Sequence, residues 1–320
     1  MQEFHIINNY LKKLSKNNSF AKKLNDDVFF YDKKNLAISI DTYNEGIHFT
    51  SFDNPKKVIK KVIRSSISDL ICKGVKPKFY FMSFSGYRNF LTKKKLKIIV
   101  KSLSEEQKKF NIKISGGDTV SSKTLSFTIV SLGFANQIIE RNKTKIDDDI
   151  YVTGNIGDSY IGLRIIQKKI NNIKKKYLKY FVNKYYEPDL PIKFISTLSK
   201  YASSSIDVSD GLISDLLKLQ NNQKYHFKIF VDKIPISKNF NYFIKNKKLK
   251  KNEYLFNGDD YQILFTASKK NRKNIIKNSK LLNQKVSIIG KITGKSSKNL
   301  LIDKDKILKV SNYKGYSHKF

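Results

Sequence analysis

Apolar residues recur along this chain at helical and at strand spacing by turns, and the alternation sets out its elements. Phe4, Ile7, Leu11 and Leu14 form a helical stripe over residues 3–14. Leu36, Ile38 and Ile40 lie two apart and predict one face of a short strand that ends on Asp41, before Asn44, Glu45 and Gly46 break the pattern. Val58, Ile59, Val62, Ile63, Ile67 and Leu70 predict a second helix, stopped near Gly74 and Pro77. KFYFMSFS, 78–85, predicts a strand, Thr92 caps a helix with Leu96, Ile99, Leu103 and Phe110 on its apolar side, and 125–135 is another strand. The polar stretch 141–150 is a seam. IYVTG then opens a second unit, Gly157, Asp158 and Ser159 precede a helix, and Lys-rich 168–184 is solvated helix and loop. Pro188 and Pro191 bracket a turn, IDVS is a short strand, and DGLISDLLKL opens a helix. Strands follow at 227–231, 261–266, 286–290 and 299–302. Strands alternating with helices, without a repeat of fixed period, predict an α/β (α+β) fold in two domains, 1–145 and 146–320.

Composition narrows the classes. With 40% hydrophobic and 12% aromatic residues, 320 residues can build real cores. No apolar run approaches the ~20 residues that span a bilayer, and MQEFHIINNY lacks the order of a signal peptide, so a cytoplasmic protein without membrane attachment is expected. The single cysteine, Cys72, excludes an internal disulfide framework and a cysteine-cage zinc site, and its place on an apolar helix side makes it buried and inert. Lys+Arg number 63 against 27 Asp+Glu, formally +36. That excess is almost all Lys, spread along the chain beside Asn and Ile, as A/T-rich codons produce. The arginine–aromatic interleaving of RNA-binding sheets is absent, so nucleic acid is not the expected partner. A general attraction for anionic substrates remains.

The candidate chemistry is acidic. Asp41 follows a strand, where α/β sheets gather ligands, and acids recur in NDD (25–27), SISDL (66–70), SGGDT (115–119), IDVSDGL (206–212) and NGDDYQILF (257–265). Asp26 and Asp27, if extended, point to opposite sides, so only one is expected to be a ligand. Asp69 sits near a helix C-terminus, against the macrodipole. The glycines before Asp118 suit both a backbone approach to an anionic ligand and a plain tight turn with a capping Asp. Asp207 and Asp210 flank Ser209 across a strand-to-helix turn. Asp27, Asp41, Asp69, Asp118, Asp207 and Asp210 make an oxygen-rich set without Cys, which suits Mg2+ shared with substrate phosphates. Converging carboxylates without a cation would repel one another. Metal–nucleotide chemistry is therefore favoured over hydrolysis by a carboxylate pair. His48 is a packed residue or a substrate contact, and the lysine runs at 174–176 and 247–251 are solvated faces.

Taken in order, NDD, IDTYNEGIHF, SISDLICKGVKP, SGGDT, DDDIYVTGNIGDS, YEPDLP, SSSIDVSDGLISDL, NGDDYQILFT and KGYSHKF resemble the thiamine-monophosphate kinase family nearly end to end. That family shares an ATP-binding superfamily with aminoimidazole-ribonucleotide synthetase and selenophosphate synthetase. The latter would need a reactive Cys or selenocysteine near the N-terminus, which this chain lacks. The resemblance implies an N-terminal ATP-binding domain whose sheet pairs with that of a second subunit in a homodimer, and a C-terminal α/β domain. It implies ATP-dependent phosphorylation of thiamine phosphate to thiamine diphosphate, the last step of that cofactor's biosynthesis, with no protein nucleophile. It implies Asp27, Ser39, Asp41, Asp69, Asp118, Asp207 and Asp210 as ligands of several Mg2+ ions, with Ile40 contributing only its carbonyl. It implies Gly117, Asp118, Arg141 and Ser209 as ATP contacts, and His48, Asp259 and Tyr316 at the thiamine phosphate site. Asn25 stands where the family has Gly and can still adopt positive φ, Asp259 and Asp260 stand in place of Glu-Asp, and Val100 replaces a tyrosine near the adenine.

The acceptor in that reaction is a phosphate with a second pKa of ~6, so it needs no general base, and in-line transfer reduces to positioning and charge neutralisation. Two alternatives follow from the same residues: another ATP-dependent synthetase of the superfamily, and a basic nucleic-acid binder with steeply salt-dependent affinity.

Overall fold

The structure, a computed structural model, describes residues 3–87, 90–220, 223–247, 253–294, 298–304 and 306–308. Helix α1 (Glu3–Ile6) runs into a wider π-helical turn, Ile7–Leu11. Then come β1 (Phe29–Tyr31), β2 (Leu36–Asn44), α2 (Pro55–Cys72), β3 (Lys76–Gly86), α3 (Lys93–Phe110), β4 (Lys113–Gly116), β5 (Thr119–Ser121) and β6 (Ser126–Phe134). The second half holds β7 (Asp149–Thr153), α4 (Asp158–Ile166), α5 (Lys175–Tyr186), α6 (Ile195–Tyr201), β8 (Ser204–Asp207), α7 (Leu212–Leu219), β9 (His226–Phe230) and α8 (Lys238–Lys247). It ends with β10 (Ile263–Ala267), α9 (Arg272–Leu281), β11 (Val286–Thr293), β12 (Leu300–Asp303) and β13 (Lys306–Leu308). No helix among the described residues is long and apolar enough to cross a membrane.

Each half builds its own sheet, so the fold is α/β (α+β). The first sheet has the order β1-β2-β6-β3-β4, with β5 also on β3; the second is β13-β12-β9-β11-β7-β10-β8. Between them lies α2. The Asn54 side chain accepts the Lys57 N–H at its start, and Pro55 fills the first turn, where its missing donor is harmless. Val58, Ile59, Val62, Ile63, Ile67 and Ile71 are almost wholly buried. The helix packs on β2, β3 and β6 on one side and on α5 and β8 on the other. Being covered all round, it also buries Lys61, Arg64, Ser65, Ser66 and Ser68. Arg64 meets Glu106 of α3 through two bonds, 2.8 and 3.0 Å, a pairing that neutralises both charges inside the protein. The core around α2 takes residues from both halves, including Tyr43, Phe127, Phe194 and Phe265.

Three local outcomes differ from the sequence pattern. β2 runs three residues past Asp41, to Asn44, because all nine of its residues pair with β6, from Leu36–Phe134 to Asn44–Ser126. Its buried face is the small and polar one, Ala37, Ser39 and Tyr43, while Ile40 is 66% exposed on the apolar face. The N-terminal stripe leaves Leu11 and Leu14 exposed, because the π-helical turn changes the residues per turn and carries the stripe off one face. Asn25 adopts φ −125°, so no positive φ is needed there. β1 and β13 are three-residue strands, too short to show a period.

Asp260 fixes the start of α4. Its carboxylate accepts the N–H groups of Gly157 (2.7 Å) and Ser159 (3.3 Å), at the positive end of the helix. Burial pushes its pKa up to about 8, and those two bonds pull the other way. Its folded pKa is thus above the unfolded 3.8, so the native chain holds a proton that the unfolded chain releases. Stability conferred at residue 260 therefore falls as pH rises through that window and levels off above it. In urea unfolding followed from about pH 5 to about pH 9, wild type should lose stability relative to Asp260→Asn as pH rises. A constant difference across that range would contradict the shift.

Candidate active site

Three separate elements bring acids together beside the last turns of α2. β2 contributes Asp41 from its inner face, α2 contributes Asp69, and β8 ends on Asp207. The neighbouring hydroxyls are donors. Ser39 Oγ donates to Asp69 Oδ2 at 2.5 Å, Tyr43 to Asp41 at 3.2 Å, and Ser68 and Ser209 to the two oxygens of Asp207 at 2.8 and 3.3 Å. The ion pairs among the described residues stop at Asp27 and Asp210 on either side and do not include these three. Burial, reinforced for Asp69 and Asp207 by neighbouring acids, raises all three pKa values. Asp41 and Asp207 reach about 6, and Asp69 lies well above its ordinary range.

The magnitudes decide what this shell is for. Oxygens of Asp27, Asp69 and Asp207 lie within 4.8 Å of one another. Two carboxylates at that separation repel by about 3 kcal/mol at an effective dielectric of about 20. A hydroxyl bond returns about 1 kcal/mol. For Asp69 and Asp207, which lie outside the ion pairs among the described residues, hydroxyls therefore do not offset the repulsion, whereas a hard divalent cation with oxygen ligands fits them.

On the far side of Asp69 the charges are already matched. Asp26 and Asp27 were expected to diverge, but the chain bends, with the Asp27 N–H on Asp26 Oδ1 at 2.8 Å, and both side chains reach Lys73. Arg141 donates from its backbone to Asp26 and clasps Asp27 with its guanidinium. Cys72 is buried as expected, and desolvation raises its thiol far above the usual range, so it is no nucleophile.

A cavity of about 660 Å3 opens over the acids, lined by Asp41, His48, Asp69, Asp207, Ser209, Asp210 and Asp259 among others. Two glycines close it. A Cβ on Gly258 would lie 1.7 Å from the Ser209 carbonyl, and one on Gly211 2.7 Å from Phe256, so these loops touch only without side chains there. That contact sets Asp259, at φ 66°, across from Ser209 and Asp210. Asp259 receives Lys61 at 2.6 Å and Tyr261 at 3.2 Å. The Lys61 ammonium also lies 3.5 Å from the Tyr185 ring centroid, and burial lowers its pKa. His48 Nδ1 accepts the Asn44 N–H at 3.0 Å, which leaves Nε2 as the ring's donor. Asp210 is held by Lys218, which also reaches Asp215 at 3.0 Å.

Other predicted residues lie elsewhere. Asp118 is exposed on the link between β4 and β5 and does not line the cavity. Gly117 is required by packing, since a Cβ there would lie 1.9 Å from the Met82 carbonyl. Ile40 points its side chain to the outer face, and Val100 is 63% exposed on α3, outside the lining. Tyr316 lies outside the described residues. Sequence reasoning passed over Tyr43, Lys61, Lys73 and Lys218. Tyr43 was legible, two positions after Asp41 on the same strand face; the lysines were hidden among 63 basic residues.

Residues 25–135 match the family model described as AIR synthase related protein, N-terminal domain. Thiamine-monophosphate kinase from Buchnera aphidicola subsp. Schizaphis graminum is 34% identical, covering 99% of this chain and 98% of that protein. The same enzyme from Buchnera aphidicola subsp. Acyrthosiphon pisum is also 34% identical, over 99% and 98%. The solved structure of AaThiL complexed with AMPPCP and TMP covers 100% of this chain and 99% of its own with a TM-score of 0.84. At 23% identity that likeness bears on the fold, which it shares. Sequence identity above 30% over almost the full length of both chains carries the assignment: this chain belongs to the thiamine-monophosphate kinase family of enzymes.

Proposed function

We propose that this chain phosphorylates thiamine phosphate with ATP, giving thiamine diphosphate and ADP, by direct in-line transfer in the cytoplasm. The observation that carries the reading is a set of three acids, half-buried Asp41 and Asp69 and buried Asp207, without an ion-paired partner among the described residues, lining a cavity that also presents His48, Ser209 and Asp259. The relatives' names support the substrate pair.

Asp41, Asp69 and Asp207 would hold Mg2+, with the Ser39 hydroxyl beside them. Asp118, Asp210, Asp27 and the Ile40 carbonyl are the further ligands implied by family position. When bound, Mg2+ supplies the positive charge that lets two phosphate-bearing molecules approach and that neutralises the transferring group. Gly117, Asp118, Arg141 and Ser209 would contact ATP; His48, Asp259 and Tyr316 would contact thiamine phosphate. His48 offers Nε2–H as a donor to a phosphate oxygen. Asp259 offers a carboxylate to the cationic ring of thiamine, with Lys61 holding it in place. No step needs a protein base, because the acceptor phosphate is largely dianionic at neutral pH. Residues 1–145 serve nucleotide binding and pairing of subunits, and 146–320 form the C-terminal domain that completes the cavity.

A homodimer is supported by the outer face of the first sheet. There Ile40, Phe81, Val120 and Phe134 are 40–66% exposed, beside half-buried Ile38, Phe79, Val130 and Leu132. An apolar strip of this size on a sheet face suits a second copy of itself.

Incubation with ATP, Mg2+ and thiamine phosphate should yield ADP and thiamine diphosphate in equal amounts, and chelation should stop it. Asp41→Asn should lower kcat by at least about 100-fold with the fold intact, in line with the loss of charge stabilisation; near-native turnover would remove Asp41 from the metal site. Asp259→Ala should raise the KM for thiamine phosphate at least about tenfold while leaving that for ATP within about twofold, since a lost ionic contact costs ~1–4 kcal/mol. Equal effects on both would move Asp259 away from the acceptor. Phe81→Asp should convert a dimer to monomers by light scattering; an unchanged mass would place the interface elsewhere.

A further inference from the structure

The acidic centre has two halves that differ in charge. Asp41, Asp69 and Asp207 carry three carboxyl groups whose bonding partners, among the described residues, are hydroxyls. Asp26 and Asp27 face Lys73 and Arg141, so that half sums to zero. Lys73 is the unusual member. Its side chain is wholly buried, and its ammonium lies 2.8 Å from Asp26 Oδ1, 2.6 Å from Asp27 Oδ2 and 2.6 Å from the Ser205 carbonyl oxygen. Three N–H donors thus meet three oxygens. Two carboxylates and a main-chain carbonyl are also what a hard cation takes as ligands. The side chains of Asp26 and Asp27 are only 3% and 4% exposed, so no solvent replaces the charge that the lysine brings.

We propose that Lys73 is a resident cation of the active centre, occupying with its ammonium a position that a divalent ion would otherwise fill. Asp27 is then a partner of Lys73 and Arg141 rather than a metal ligand, although one of its oxygens lies within 4.8 Å of ligand oxygens of Asp69 and Asp207. Within this centre Asp69 and Asp207, with Asp41 lining the same cavity, are left to a divalent ion. This rests on the proposed Mg2+ reading and narrows it, since it removes one ion from the set. Lys73 is a positioning residue. It touches no reacting group, and it holds Asp27 and, through the Ser205 carbonyl, the strand that ends on Asp207.

Lys73→Met removes the charge, keeps an unbranched side chain and leaves the three oxygens in place. With the full chain freed of metal by chelation, Mn2+ titration read by the electron paramagnetic resonance of free Mn2+ gives the number of ions bound. The variant should bind one more Mn2+ per chain than wild type. An equal or smaller number would overturn the role of Lys73 while leaving the metal reading intact. Wild type binding no Mn2+ at all would instead overturn the metal reading. Where the variant does not fold without metal, melting with and without Mg2+ decides. Mg2+ should restore the folded variant and raise its Tm far more than that of wild type. A variant that Mg2+ does not rescue would show Lys73 to be a structural ion-pair partner only.

Discussion

Like charges brought together away from water dominate this molecule. Asp41, Asp69 and Asp207 come from a strand, a helix and a second sheet, and line one cavity with hydroxyls as their bonding partners. Repulsion of about 3 kcal/mol between Asp69 and Asp207, whose oxygens lie within 4.8 Å of each other, is a large fraction of a domain's net stability. A fold tolerates that arrangement when a ligand of opposite charge is part of its working state. Burial raises the pKa values of all three acids, and neighbouring acids add to the rise for Asp69 and Asp207.

The rest of the architecture follows from serving this cluster. α2 runs between the two sheets because only a helix covered on all sides can bring Asp69 under Ser39 of one sheet and Ser68 against Asp207 of the other. Its small serines let the strands approach, as where Ser66 meets Ser131 at 2.7 Å. With the inner face of β2 given to Ala37, Ser39 and Asp41, the strand's apolar residues are left on the outer face. Polar residues on the inner face and apolar residues on the outer face are two consequences of one strand register.

Much of this was legible before any coordinates. The long helices and the main strands follow from spacing, and Thr92 caps α3 by accepting the Lys95 N–H. The acids were visible as a set because each interrupts or ends an apolar run. What could not be read was orientation. Ile38 and Ile40 mark a face of β2 without saying which way it turns, since period 2 is the same from either side. Nor could single residues reveal the long-range pairs. Lys73 with Asp26 and Asp27, and Lys61 with Asp259, join positions tens to hundreds of residues apart, and such pairs depend on how the two sheets flank α2. The bend at Asp26 likewise comes from the Arg141 backbone reaching across 115 positions.

The central claim is that the buried acids exist to hold a divalent cation where phosphates meet. Crystals grown with Mn2+ and a non-hydrolysable ATP analogue, measured at the manganese absorption edge, test it directly. The account predicts an anomalous peak at about 2.0–2.3 Å from carboxylate oxygens of Asp41, Asp69 and Asp207, with the analogue's phosphates on its open side. A map with no peak there, or with manganese bound only at exposed acids such as Asp118, would contradict it.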